Sequence, residues 1–255
     1  MKAVLLSFLS ILLFSLMASA QSDGSWTTMS RKDAEKILTD SPWARTQTDT
    51  DVSEMFYSPT KPGSASISRS ATTAVGRTND QQGINNNRAD QGATNQAVSI
   101  NYHVRLLSAK PVREAIARMV LLENVQSAED VGTLMQPFVD RNFSQYIVVS
   151  LVFDSTDGRY SGPALQALSS ATAETLRNKT YLERKDGKRL YLMDYRVPLA
   201  DGLGAKFVFE RSPGGKPFID GDSGNFRFYS EVGDKLKLNV KYEISELKYK
   251  GVVEY

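Results

Sequence analysis

A long polar stretch, residues 45–96, limits where this chain can build a folded core. Serine, threonine, asparagine, glutamine, aspartate and glycine dominate the stretch, and large apolar side chains are sparse in it. Such a segment cannot bury enough apolar surface to offset the conformational entropy that ordering would cost. We therefore expect a flexible spacer over residues 45–96 and a folded domain over residues 97–255.

The first twenty residues have the three parts of a secretory signal peptide. Lys2 supplies the positive start, an apolar run covers Ala3–Met17, and Ala18-Ser19-Ala20 forms a small-residue cleavage site. The run is too short for a convincing membrane anchor. We therefore predict an exported protein, periplasmic or secreted, that has no transmembrane segment once residues 1–20 are removed.

Composition excludes several kinds of chemistry. The chain has no cysteine and one histidine, His103. Thiolate metal sites, a cysteine nucleophile and zinc sites with several histidines from one chain are therefore excluded. The formal net charge is +2, and removal of the signal with its single charge, Lys2, leaves +1. A chain so close to neutral has no general attraction for nucleic acid.

Apolar periodicity predicts a mixture of helices and strands. Residues 21–44 contain an amphipathic helix, over about 29–40, that Ser30 can cap. After residue 97 the pattern gives about three helices, which start near Ser108, Ser127 and Pro163. Strands are predicted at residues 98–106, 146–153, 180–183, 189–196, 206–211, 226–231, 236–244 and 247–255. We therefore predict an α+β fold: a mostly antiparallel sheet with about three helices packed on one face, preceded by a short helix and the flexible spacer.

Two blocks of the sequence resemble a group of uncharacterised exported bacterial proteins. The first is the N-terminal block SRKDAEKILTDSPWA, residues 30–44, and the second is Leu106–Arg118 with its Ser-x-x-Pro-Val-Arg-Glu-Ala pattern. No activity is known for this group. The resemblance therefore implies export and supplies no functional residues.

The sharpest catalytic motif is Gly221-Asp222-Ser223-Gly224. It resembles the nucleophile loop of chymotrypsin-like serine proteases, with His103 upstream and Asp154 or Asp157 between them in the order of that family. The sequence departs from the family at Asn225, where a further glycine is expected, and around His103. A tight turn between strands is the alternative, because aspartate, glycine and serine are common turn residues.

The same segment also has the outline of a calcium loop. Asp220, Asp222 and Glu231 stand at positions one, three and twelve of such a loop. The order of Gly224 and Asn225 at positions five and six is reversed from the usual pattern. We therefore hold calcium as the one cofactor that the sequence could accommodate, at a loose surface site.

Aromatic residues are frequent near the end of the chain. A row of them on one sheet face could stack on sugars or hold an apolar ligand, whereas the simpler interpretation is a sheet core with cross-strand pairs. The residues concerned are Phe207, Phe209, Phe218, Phe226, Phe228 and Tyr229.

These observations favour an exported, non-catalytic α+β protein that binds an unknown partner or ligand at the cell envelope. The first alternative is a secreted serine hydrolase that uses Ser223 and His103. The second is an extracellular module that calcium stabilises through Asp220, Asp222 and Glu231.

Overall fold

Antiparallel strands and five α-helices form an α+β fold, as predicted, in a computed structural model that describes residues 25–51, 98–124, 128–155, 158–234 and 236–255. The helices are α1 (Arg31–Thr39), α2 (Lys110–Glu123), α3 (Ala128–Val139), α4 (Gly158–Ser170) and α5 (Ala173–Leu176). Within those ranges, none of the helices is both long and apolar enough to cross a membrane.

The strands form two main sheets and a small hairpin, whereas the sequence pattern predicts a single sheet. The larger sheet has the order β1-β2-β3-β7-β6, the smaller one has β5-β4-β8-β9, and β10 pairs with β11. All of these pairings are antiparallel. The strands are β1 (Ala44–Asp51), β2 (Val98–Leu106), β3 (Tyr146–Ser155), β4 (Thr180–Arg184), β5 (Arg189–Tyr191), β6 (Asp194–Arg196), β7 (Ala205–Glu210), β8 (Asn225–Val232), β9 (Leu236–Glu243), β10 (Lys248–Tyr249) and β11 (Val252–Val253).

One core joins the two sheets. Phe207 of the larger sheet packs edge-on against Phe228 of the smaller sheet, with ring centroids 5.2 Å apart. The Tyr242 hydroxyl donates a hydrogen bond of 3.0 Å to the carbonyl of Val104 across the same boundary. All four residues are fully buried. The faces that the two sheets turn toward each other are therefore closed to solvent.

The N-terminal segment belongs to this core. Ser30 caps α1 by accepting from the Asp33 amide at 3.1 Å, and α1 packs against α2. Trp43 is buried and donates from its indole to the carbonyl of Glu254 at 2.9 Å. Strand β1 then pairs with β2, so the first seven residues of the predicted spacer lie in a sheet. The rest of the spacer and the predicted signal peptide lie outside the described residues.

Polar residues of the second resemblance block are buried and serve the fold. Ser108 accepts from the amide of Val148 at 3.1 Å. Arg113 donates to the carbonyls of Leu107, Ser108 and Val139, which joins α2 to the ends of β2 and α3. Glu114 accepts from the Tyr249 hydroxyl. These contacts satisfy charges that would be costly to bury alone.

Candidate functional site

His103 lies on β2 and uses both of its ring nitrogens. Its Nε2 is 2.5 Å from Oδ2 of Asp154 on β3, and its Nδ1 is 2.8 Å from the Thr46 hydroxyl on β1. That hydroxyl donates its single proton to the carbonyl of Thr39 at 2.7 Å. Both ring nitrogens therefore have partners in adjacent strands, the carboxylate of Asp154 on one side and the hydroxyl of Thr46 on the other.

The sequence places Asp154 or Asp157 between His103 and Ser223 in the order of a serine-protease triad; Asp154 contacts His103, and Asp157 lies outside the described residues. The other carboxylate oxygen of Asp154 accepts from Asn101 at 3.1 Å. Burial raises the pKa of Asp154, but hydrogen bonds from His103 and Asn101 outweigh it and hold that pKa below its usual value. The cluster thus ties β1, β2 and β3 together.

Ser223 has its own partners, within its own turn. Its hydroxyl donates to Oδ1 of Asp220 at 2.6 Å and accepts from the Asp220 amide at 3.2 Å. The side chain is buried, and Gly224 follows at φ +70°, a conformation that glycine adopts freely. The segment therefore has the geometry of a tight turn, and the hydrogen bonds of His103 go to Thr46 and Asp154 instead.

The carboxylates of the predicted calcium loop do not converge. Asp220 lies before β8, with Arg184 at 3.7 Å, whereas Glu231 lies near the far end of that strand, 3.4 Å from Lys237. The extended chain from Asn225 to Glu231 spans about 20 Å. In the part of the chain that the structure describes, no group of three or more His, Asp or Glu side chains could hold a metal ion; the Asp222 side chain is outside that part. The calcium loop stays an untested hypothesis, and the separation of Asp220 from Glu231 argues against it.

Most of the predicted aromatic row belongs to the core. Phe207, Phe209, Phe226 and Phe228 are fully buried, and Phe218 is 8 % exposed. These five side chains therefore form part of the sheet core, which is the simpler of the two interpretations of the aromatic row. Tyr229 alone among the six lies on an outer face, that of the smaller sheet.

A different aromatic row occupies this outer face. Tyr181 on β4 is in register with Tyr191 on β5 and with Tyr229 on β8. The rings of Tyr181 and Tyr229 stack with centroids 5.0 Å apart, and Tyr191 meets Tyr181 edge-on at 5.8 Å. We call these three residues the tyrosine row.

Cations cover both ends of the stacked pair. The Arg189 guanidinium lies 4.3 Å from the ring centre of Tyr181, and the Lys237 ammonium lies 5.3 Å from that of Tyr229. Because these cations come from the outer strands β5 and β9, both faces of each stacked ring are occupied. The Tyr229 hydroxyl donates to Glu231, so the pair offers another molecule its ring edges and the hydroxyl of Tyr181.

The face that carries the tyrosine row is open to solvent. Tyr191 is 48 % exposed, and the other side chains that point outward on β8 and β9 are exposed or half-buried, while their neighbours are buried. The outward side chains of the four strands are Glu183, Arg189, Asn225, Arg227, Glu231, Lys237, Asn239, Lys241 and Glu243, in addition to the tyrosines.

Sequence reasoning missed Tyr181 and Tyr191. Both flank the predicted hairpin and alternate with buried residues, which was a signal that they face outward. Their meeting with Tyr229 depends on the pairing of β4 with β8, which local patterns do not specify.

A comparison of the chain with protein-family models, with curated proteins and with solved structures found no match.

Proposed function

We propose that this chain is an exported, non-catalytic α+β protein that binds a protein partner at the cell envelope through the tyrosine row. The signal-like residues 1–20 support the location. The observation that carries the proposal is the exposed, ordered set of tyrosines and cations across four strands.

The composition of this face suits a protein partner. Tyrosine and arginine are enriched at protein interfaces and at the positions that contribute most to binding. Stacking already restricts Tyr181 and Tyr229, so less side-chain entropy remains to be lost when a partner binds. The covered ring faces argue against sugar stacking, which needs a free aromatic face.

Site-specific photocrosslinking tests the proposal. A benzophenone amino acid replaces Tyr191 in one variant and Tyr146 in a control, since Tyr146 is 40 % exposed on the larger sheet. We expect position 191 to give a discrete crosslinked protein in the envelope fraction and position 146 to give none.

A second change makes this test specific. Tyr181→Ser leaves the strand in place and removes the ring against which both other tyrosines pack. We expect it to abolish the product formed from position 191. Equal products from positions 191 and 146, or a product that Tyr181→Ser does not affect, would refute the proposal.

A further inference from the structure

The outer face of the smaller sheet carries one more cation than its own acids can pair. Each of the three carboxylates on this face already forms an ion pair. The pairs are Arg189 with Glu183 at 2.5 Å, Lys237 with Glu231 at 3.4 Å, and Lys241 with Glu243 at 2.6 Å. Of the four outward cations on the described residues of these strands, Arg227 alone has no carboxylate within ion-pair distance. It is exposed and lies on the central strand β8.

The neighbours of Arg227 do not give it a carboxylate partner. On β9 it stands directly opposite another cation, Lys241. Like charges at such a position destabilise a sheet. On β4 it stands opposite Glu183, but the Nε of Arg189 already binds that carboxylate. A carboxylate from another molecule, placed over Arg227 and Lys241, would relieve this repulsion and could accept two hydrogen bonds from the guanidinium.

We propose that the partner presents an acidic segment of its polypeptide to Arg227 and Lys241, beside the tyrosine row. This inference rests on the proposed function and names the chemistry of the partner. A polypeptide fits better than an acidic sugar, because its backbone and carboxylates can contact the ring edges and the Tyr181 hydroxyl while the stacked ring faces stay covered.

Fluorescence anisotropy of a labelled octaglutamate peptide with the purified full chain tests this inference. We expect the dissociation constant to rise about tenfold in Arg227→Gln, because one charge-assisted hydrogen-bond pair is lost. Arg227→Lys should fall between the wild type and Arg227→Gln, since it keeps the charge and loses the paired donors. Arg141→Gln, an exposed arginine outside the two main sheets, is the matched control and should bind as the wild type does.

Three results would overturn the inference. The first is that octaglutamate does not bind, and the second is that Arg227→Gln binds it as tightly as the wild type does. The third is that an eight-residue galacturonate binds as tightly as octaglutamate and that Arg227→Gln weakens the binding of both to the same degree. The photocrosslinking test remains independent of these. If position 191 still crosslinks its partner when Arg227→Gln has no effect, the acidic segment is refuted and the proposed function stands.

Discussion

Nε2 of His103 lies 2.5 Å from Oδ2 of Asp154, while its Nδ1 shares a hydrogen bond with the Thr46 hydroxyl. The pair joins adjacent strands within the larger sheet, and the ring itself is only 9 % exposed. A catalytic histidine needs a ring nitrogen free to take a proton from a nucleophile. Here both nitrogens already have partners, Asp154 and Thr46, so the geometry is that of a structural contact between strands.

Removal of the contact between His103 and Asp154 should destabilise the fold modestly. Because the Asp154 side chain is 62 % exposed, solvent screens the interaction, and we expect His103→Gln to lower the free energy of unfolding by about 1 kcal/mol. Urea denaturation of His103→Gln, Asp154→Asn and the double variant measures the coupling free energy between the two side chains. Strictly additive losses would show that the two side chains do not interact.

Asp154 should make stability depend on acid pH. Its pKa is held below the usual value in the folded state, so the unfolded state takes up the proton more readily as pH falls. The stabilisation is therefore complete above about pH 4 and is lost as the pH drops through the lowered pKa. We expect thermal melts between pH 2 and 6 to show a shallower acid loss for Asp154→Asn. Asp234→Asn, at an exposed position in the β8–β9 turn, should keep the steeper wild-type profile.

Gly204 should tolerate no side chain. Its φ is +72°, and a Cβ there would lie 2.1 Å from the carbonyl oxygen of Leu151 on β3. Gly202 in the same loop has φ +69° with open space around it, so Gly202→Ala isolates the backbone cost of about 1–2 kcal/mol. We expect Gly204→Ala to cost about 3 kcal/mol or more by urea denaturation. Similar losses in the two variants would mean that the loop moves away from β3.

Ser223 should behave as a capping residue. Its hydroxyl bonds reciprocally with Asp220, and loss of such a cap costs about 1 kcal/mol. We expect Ser223→Ala to lower the melting temperature and expect a fluorophosphonate probe to leave the folded wild type unlabelled. Labelling that disappears in Ser223→Ala would instead support the hydrolase.

Calcium should have little effect on stability. Because β8 separates Asp220 from Glu231, these two carboxylates cannot bind one ion together. We expect the melting temperature to be the same in EDTA and in millimolar calcium. A rise with calcium that Asp220→Ala abolishes would establish the module that the loop spacing predicts.

Much of the fold was predictable because its signals are local. The alternation of apolar and polar residues along β9 predicts Leu236–Glu243 almost to the residue, and Ser30 marks the start of α1. Strand β1 was not predictable from its polar composition. It forms because it pairs with β2, while the Gln47 side chain bonds to the main chain of Lys237 and Asn239 on β9, at 2.7 and 3.0 Å.

By itself, the sequence determined most of the helices and strands after residue 97, since periodicity and capping depend on near neighbours in the chain. The single strands predicted at 189–196 and 247–255 are each divided into two in the structure. Only the tertiary structure decided that the strands divide between two sheets and that Tyr181, Tyr191 and Tyr229 meet on one open face. It also placed Asp154 against His103 and left Arg227 opposite Lys241. The physical reason is that strand pairing and register are contacts between distant parts of the chain, which no local pattern encodes.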